Sequence, residues 1–277
     1  MTLSIRNNCF KAGITLSSLS FAAVAAVVFV VMPAYPAAAD EAVRRSAGMF
    51  RGFLEHLAPP APYAPFASMM GAVLYSLVSI ILIYFLFEKT QSQEILFFSF
   101  FVLSLTVESF RIIIPLKIVY GFSAVYCVMA ARVLVFSRYF GLFSLFASSI
   151  CAAGLEVQKQ RNTVMVAALT ALVIAMGIPV DGLSWDSSLI MLTGYTKMFT
   201  IVEGSLLFFA VISFFIAAYN RGSRDYIFIG IGTLLVFIGR NILLNADAWL
   251  APLPGLIILA TGTWFFCTRL HQIYLWL

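Results

Sequence analysis

Charged residues are scarce in this 277-residue chain: they make up 10% of it, whereas 62% of the residues are hydrophobic. Soluble domains contain roughly 45–50% apolar residues, so this composition excludes an ordinary soluble domain. The longest polar stretch, residues 40–65, is too short and too rich in proline to bury a core of its own. We therefore expect a polytopic membrane protein that lies in the lipid bilayer and acts there or through a protein partner.

Residues that carry common chemistry are also scarce. The two histidines, His56 and His271, lie far apart in the chain, and the four cysteines form no CxxC pair, so we expect neither a metal site nor a cofactor. The chain has no glycine-rich phosphate loop, no HExxH and no GxSxG motif, and its last apolar segment has no lysine for a retinal Schiff base. The net charge of +5 comes without a basic, aromatic block, which argues against a nucleic-acid partner.

The amino-terminal segment has the features of a signal sequence. Basic residues precede an apolar run over residues 12–32, and Ala37 and Ala39 form the A-x-A pattern of a cleavage site. The run exceeds the ~7–15 residues of a usual signal core and is long enough to span a bilayer. Residues 1–39 are therefore predicted to be either a cleaved signal peptide or a retained signal anchor.

The rest of the chain predicts an all-α transmembrane bundle. We expect seven spans after the signal segment, or eight spans if that segment is retained. Residues 141–157 are also apolar, and we interpret them as a helical continuation or an interfacial segment rather than as a further crossing. The predicted spans cover residues 67–87, 95–114, 118–137, 163–179, 190–219, 226–245 and 252–269. The predicted domains are thus residues 1–39, an extracytoplasmic segment at 40–66, and a seven-span domain at 67–277.

Loop charges predict the orientation of the bundle. Short cytoplasmic loops are enriched in Lys and Arg. Alternate loops carry Lys89, Lys159, Arg161, Arg221, Arg224 and Arg269, whereas the intervening later loops carry Asp181, Asp186 and Asp247. We therefore predict an inner-membrane protein of a bacterium, with residues 40–66 outside and the carboxyl terminus in the cytoplasm.

Two segments outside the spans have amphipathic features. Residues 42–57 place their apolar side chains largely on one helical face, which predicts a helix on the outer membrane surface. A lid over an outer pocket and a partner-binding helix are the alternatives. Tyr274 and Trp276 follow the last span, where aromatic residues commonly lie at the headgroups.

Charged residues inside the apolar runs are the main functional signal, because a charge near the bilayer centre costs ~2.5–3.5 kcal/mol on insertion scales. Their depth along the predicted spans places many of them in the outer half of the bundle. Together with Lys117 they carry a surplus of two positive charges, which predicts an outward-facing pocket for a small anion, since Arg donates paired hydrogen bonds to carboxylate or phosphate. The predicted ligand-binding residues are Glu108, Arg111, Lys197, Glu203, Arg240, Asn241 and Asn245.

A structural interpretation of the same charges is open. Glu108 and Arg111 are three residues apart and can neutralise each other on one helical face. Glu203 and Arg240 lie on consecutive antiparallel spans and can form a structural clamp, while the lysines can extend to the headgroups.

Two further arginines lie within or directly after the third predicted span, residues 118–137. Arg132 is predicted in its inner half, where it would pair with a backbone carbonyl or a Glu or would line an inner cavity. Arg138 lies beyond the end of this predicted span, and we interpret it as a cytoplasmic anchor.

Three functional classes fit the sequence. The first is a receptor-like or accessory signalling protein, which the outer polar cluster favours. The second is a transporter or channel for a small anionic solute, although the sequence predicts neither broken helices nor paired repeats. The third is a membrane-embedded enzyme that modifies lipids, with Glu203 as its acid or base. Since no catalytic motif is present, we do not predict an enzyme.

Overall fold

A computed structural model describes residues 3–35, 61–87, 92–154 and 160–275. The predicted amphipathic helix at 42–57 and the A-x-A pattern lie outside these residues. A 3₁₀ segment, Leu105–Ile112, and a two-stranded hairpin, β1 (Val180–Trp185) and β2 (Met191–Thr193), accompany the helices. The described α-helices are α1 (Leu3–Val31), α2 (Ala64–Phe87), α3 (Gln93–Ser104), α4 (Ile113–Tyr120), α5 (Ala124–Ala153), α6 (Gln160–Gly177), α7 (Thr196–Arg221), α8 (Asp225–Leu244) and α9 (Pro252–Leu275).

The predicted all-α bundle of membrane-compatible helices is confirmed in its coarse form. Within the described ranges, eight helices are long and apolar enough to cross a bilayer. One of them is the continuous unit Gln93–Tyr120, which combines α3, the 3₁₀ segment and α4. Another is the amino-terminal helix, over Arg6–Val31.

The boundary between the second and third predicted spans is wrong. The helical unit does not end at Pro115 but continues to Tyr120, where Gly121 adopts a left-handed conformation with φ of 70°. Proline is tolerated here because it occupies the first turn of α4, where a missing N–H costs little. The next helix, α5, therefore begins at Ala124 instead of residue 118 and runs unbroken for 30 residues. Residues 141–153 are its helical continuation, which is one of the two interpretations that the sequence left open.

The amino-terminal helix packs as part of the bundle. Phe10, Ser17 and Val24 of α1 are almost fully buried. A Cβ atom on Gly13 would lie 2.8 Å from the side chain of Leu103, so α1 lies close to α3 at this position. At its start, the guanidinium of Arg6 donates a hydrogen bond of 2.6 Å to the last carbonyl of α2.

Helices α8 and α9 lie in backbone contact. A Cβ atom on Gly239 would lie 2.5 Å from the amide nitrogen of Leu259, and one on Gly262 would lie 2.7 Å from that of Val236. Small residues of this kind allow helices in membranes to approach closely. The two helices therefore pack directly against each other through their backbones at these glycines.

The hairpin between α6 and α7 was not predicted. Residues 190–195 were assigned to a helix, but the strands β1 and β2 pair antiparallel and α7 begins only at Thr196. The turn of the hairpin folds into the bundle, since Ser188 and Leu189 are buried. Helices α5 and α7 begin, and helices α6 and α8 terminate, at the same end of the bundle as this hairpin. We call this end of the bundle the hairpin end.

Candidate anion-binding site

The site is built around an uncommon interruption of a long helix. The 3₁₀ segment covers eight residues, whereas 3₁₀ runs longer than 3–4 residues are uncommon. Side chains three residues apart are eclipsed in this geometry, so Glu108 and Arg111 project from the same face. Both are about 1% exposed and therefore point into the protein. The change to 3₁₀ geometry is internal to the unit Gln93–Tyr120, which stays helical throughout.

Serine hydroxyls stabilise the interruption by bonding to nearby backbone carbonyls. Ser137 of α5 donates to the carbonyl of Ser104 at 2.9 Å, and Ser76 of α2 donates to that of Val102 at 2.8 Å. Because Ser76 has a single hydroxyl hydrogen, Thr106 must be the donor in their 2.7 Å contact. The 3₁₀ segment is thus anchored to two neighbouring helices.

Glu108 forms its shortest ion pair with an arginine that the sequence placed elsewhere. The guanidinium of Arg138 donates two hydrogen bonds of 2.7 Å, one to each carboxylate oxygen of Glu108. The prediction that Arg138 is an anchor at the inner end of its span is wrong. Because α5 begins at Ala124 and ends at Ala153, Arg138 lies at the middle of the helix, opposite the 3₁₀ segment.

A cavity of about 240 Å³ lies beside this pair at the hairpin end. Two arginines and one carboxylate reach it: Arg138, Arg240 and Glu203. The amides of Asn241 and Asn245 complete the polar part of the lining. The remaining lining residues are mostly apolar, aromatic or hydroxyl-bearing and include Leu134, Tyr139, Ile190, Met191, Thr193, Thr196, Phe199, Thr200 and Leu244. Four of the predicted ligand-binding residues therefore meet in one cavity.

The pairing of Arg240 is loose in comparison with that of Arg138. Its Nη1 atom lies 3.8 Å from Glu203, which is beyond hydrogen-bond distance, and donates to the amide oxygen of Asn241 at 3.2 Å. Arg240 is 2% exposed, whereas the side chain of Glu203 is 26% exposed. The predicted clamp between these two residues is therefore a long ion pair at the wall of the cavity.

Arg111 lies behind Glu108 and outside the cavity lining. One of its nitrogens, Nη2, donates to the backbone carbonyl of Ser188 at the turn of the hairpin. Its Nη1 atom is 3.7 Å from Glu108. Among the described residues, neither Nη1 nor Nε has a hydrogen-bond partner, although both atoms are buried.

The composition of the charge cluster differs from the predicted one. Lys197 is exposed and does not line the cavity. Lys117 lies over the ring of Trp185, 5.4 Å from its centroid. The described ion pairs instead join three arginines and two carboxylates, and Asp186 lies close enough to Arg111 to act on its charge. The members of these ion pairs are Arg111, Arg138, Arg240, Glu108 and Glu203.

Arg132 does not belong to this cluster. Its Nη1 atom donates at 2.9 Å to the carbonyl of Met176 in the last turn of α6, which is the backbone pairing that the sequence left open. The expected location in the inner half of its span is wrong, since Arg132 lies near the start of α5 at the hairpin end. A cation at this place also interacts favourably with the helix dipole.

A buried carboxylate at the opposite end of the bundle escaped the sequence analysis. Glu94, in the first turn of α3, is 2% exposed. It accepts hydrogen bonds from Tyr274 at 2.7 Å and from Ser92 at 3.0 Å. Tyr274, which was expected to lie at the headgroups, thus has its hydroxyl group inside the protein. Both partners are neutral, and the position suits an anion at a helix start.

Comparisons with known proteins give little further information. No protein-family model matches the chain. A protein of Treponema pallidum (strain Nichols), described as an uncharacterized protein, is 23% identical over 239 residues, which covers 69% of this chain and 69% of that protein. The residues of the cavity are therefore the basis on which a function can be proposed.

Proposed function

We propose that this protein binds a small anionic ligand in the cavity at the hairpin end and acts through a partner protein, as a receptor-like or accessory signalling protein of the membrane. The observation that carries this proposal is the presence of two arginines, Arg138 and Arg240, in the lining of one cavity, where Glu203 is the single carboxylate among the described lining residues. Such charges are costly in a bilayer unless a counter-charge is present.

The two arginines differ in how well they are compensated. Glu108 engages Arg138 through two short hydrogen bonds, but Glu203 stays 3.8 Å away from Arg240. A monovalent anion beside Arg240 would accept the hydrogen bonds that Glu203 is too distant to accept from its guanidinium. Asn241 adds an amide next to this position.

The size and lining of the cavity narrow the ligand class. At about 240 Å³ the cavity is smaller than the ~300–1,000 Å³ typical of drug-sized ligands, so the ligand is small. Aromatic and aliphatic side chains, among them Tyr139, Phe199 and Leu244, line the same space. A carboxylate on a compact apolar body matches this combination better than a fully hydrated polyanion does.

Loop charges support entry of the ligand from outside the cell. The hairpin end carries Asp181, Asp186 and Asp247 together with two lysines, Lys117 and Lys197. Four arginines lie at the other end: Arg161, Arg221, Arg224 and Arg269. The positive-inside rule then places the hairpin end outside and the carboxyl terminus in the cytoplasm. A signal would leave through the helices or through a partner at the membrane.

The proposal is tested by titrating purified protein in lipid nanodiscs with benzoate, using calorimetry, and with inorganic phosphate for comparison. Benzoate is expected to bind more tightly than phosphate. Arg240→Gln should weaken benzoate binding by about tenfold or more, because a charged hydrogen bond is lost. Lys197→Gln removes the same charge from an exposed position and should leave the affinity unchanged. Equal effects of the two substitutions, or no binding of either anion, would contradict the proposal.

A second candidate, a transporter of a small anionic solute, is favoured by the interrupted helix over Gln93–Tyr120. A 3₁₀ stretch inside a long helix often marks a functional hinge, and transporters need such movement for alternating access. The 3₁₀ segment carries Glu108 and lies directly behind the cavity wall. Uptake of radiolabelled benzoate into proteoliposomes would favour this candidate, whereas binding without uptake would favour the receptor-like function.

A further inference from the structure

Arg111 is buried with two unused donors, which is costly in a protein interior. It is 1% exposed, and its Nε and Nη1 atoms have no hydrogen-bond partner among the described residues. A carboxylate that moved towards Nη1 would bind the guanidinium side by side through Nη1 and Nη2, and it would compete with the carbonyl of Ser188 for Nη2.

Glu108 is the carboxylate within reach. It lies between two guanidinium groups, with two 2.7 Å hydrogen bonds to Arg138 and a 3.7 Å separation from Nη1 of Arg111. A single carboxylate can be bound side by side by only one of these arginines at a time. Two arrangements of the same three side chains therefore exist, and the described one favours Arg138.

Arg138 and Arg111 differ in the groups that they contact besides Glu108. Arg138 lines the cavity, where an anion would compete with Glu108 for its guanidinium. Arg111 instead holds the hairpin through the carbonyl of Ser188. The hairpin contributes Met191 and Thr193 to the cavity wall, so any movement of its turn changes the shape of the site.

We propose that an anion in the cavity switches Glu108 from Arg138 to Arg111 and thereby releases the turn of the hairpin. This inference rests on the proposed function, because it describes how that site is regulated. The anion takes over Arg138, and Glu108 moves to Nη1 and Nη2 of Arg111. The carbonyl of Ser188 then loses its donor, because Nη2 binds the carboxylate instead. Ligand occupancy is thus transmitted from the membrane interior to the outer surface.

The exchange is tested without any ligand by removing Arg138. Ser188→Cys keeps the backbone carbonyl that Arg111 binds, and it places a thiol at a buried position. In a background without the native cysteines, Arg138→Gln should raise the rate of thiol labelling at position 188 by about fivefold or more. The combination of Arg138→Gln with Glu108→Gln should restore the slow rate, because no carboxylate is left to draw Arg111 away.

Two controls separate the exchange from general loosening of the bundle. Arg240→Gln removes the same charge from the same cavity but leaves the bonds between Arg138 and Glu108 in place, so labelling should stay slow. Arg111→Gln should label fast whether or not Arg138 is present, since the contact to Ser188 is already lost. If Arg138→Gln is not recovered as a monodisperse protein, Arg138→Lys, which cannot hold Glu108 through a fork, should give a smaller increase.

The results decide between distinct outcomes. Slow labelling of folded Arg138→Gln, or fast labelling that persists in the double variant, would overturn the exchange. In protein with an intact Arg138, saturating benzoate should also accelerate labelling, and bound benzoate without acceleration would overturn the exchange while leaving the proposed function in place. Failure of benzoate to bind, together with the expected labelling of the variants, would instead contradict the proposed function alone.

Discussion

Glu108 accepts two hydrogen bonds of 2.7 Å from Arg138, a residue that follows it by 30 positions in the chain. Glu108 is 1% exposed and the side chain of Arg138 is 18% exposed. The pair joins the 3₁₀ segment to the middle of α5, and its arginine lines the cavity. A substitution in this pair should therefore affect both the stability of the bundle and the lining of the cavity.

The first prediction concerns the asymmetry of this pair. Glu108→Ala removes the carboxylate nearest to both Arg138 and Arg111 and should reduce the free energy of unfolding by about 3–5 kcal/mol, as expected when one partner of a buried ion pair is lost. Arg138→Ala should cost less, because Glu108 retains Arg111 as a neighbour at 3.7 Å. Denaturant titration of both variants measures the difference. A larger loss for Arg138→Ala would show that Arg111 does not compensate for the missing arginine.

The second prediction concerns the contact between α8 and α9. Gly239→Ala should destabilise the protein, because its Cβ atom would lie 2.5 Å from the amide nitrogen of Leu259 and the helices must separate. Gly204→Ala in α7 is the matched control, since no atom lies within 4 Å of its Cβ position. The control should be neutral or stabilising by up to about 1 kcal/mol, owing to the better helix propensity of alanine. Melting temperatures of the two variants in the same detergent provide the measurement, and similar values would contradict the contact.

The third prediction concerns the fate of the amino-terminal helix. Because Phe10, Ser17 and Val24 are buried against the bundle, we expect residues 1–39 to remain in the mature protein. Mass spectrometry of protein purified through a carboxyl-terminal tag should give the uncleaved mass. A mass that begins at residue 40 would support the cleaved signal peptide instead. Ala39→Leu, which blocks a signal-peptidase site, should leave the mass of the protein otherwise unchanged.

The fourth prediction separates Arg132 from the cavity. Its guanidinium binds the carbonyl of Met176 and does not line the cavity. Arg132→Ala should therefore lower stability by about 1 kcal/mol, the value of one partly exposed hydrogen bond, and leave benzoate affinity as it is. Calorimetric titration of the variant checks the second part. A loss of affinity comparable with that of Arg240→Gln would place Arg132 in the ligand site after all.

The depth of a charged residue along its helix could be predicted from the sequence in some cases. Glu203 and Arg240 were predicted to lie at one level because they occupy equivalent depths on antiparallel helices, and both line the cavity. The depth of Arg138 was predicted wrongly, because moving the start of its helix from residue 118 to residue 124 shifts every later residue by about 9 Å along the axis, at 1.5 Å per residue. The stop signal at Pro115 was misleading, since proline fits the first turn of α4.

The sequence by itself determined that this chain forms long apolar helices and that a few charges lie deep among them. These are local properties, because a run of about 20 apolar residues matches the thickness of a bilayer whatever surrounds it. Only the tertiary structure decided that Glu108 pairs with Arg138, that the helix over Gln93–Tyr120 is interrupted, and that Ser188 reaches Arg111. These features depend on the rotation of each helix about its axis and on the contacts between distant segments, which composition and periodicity do not specify.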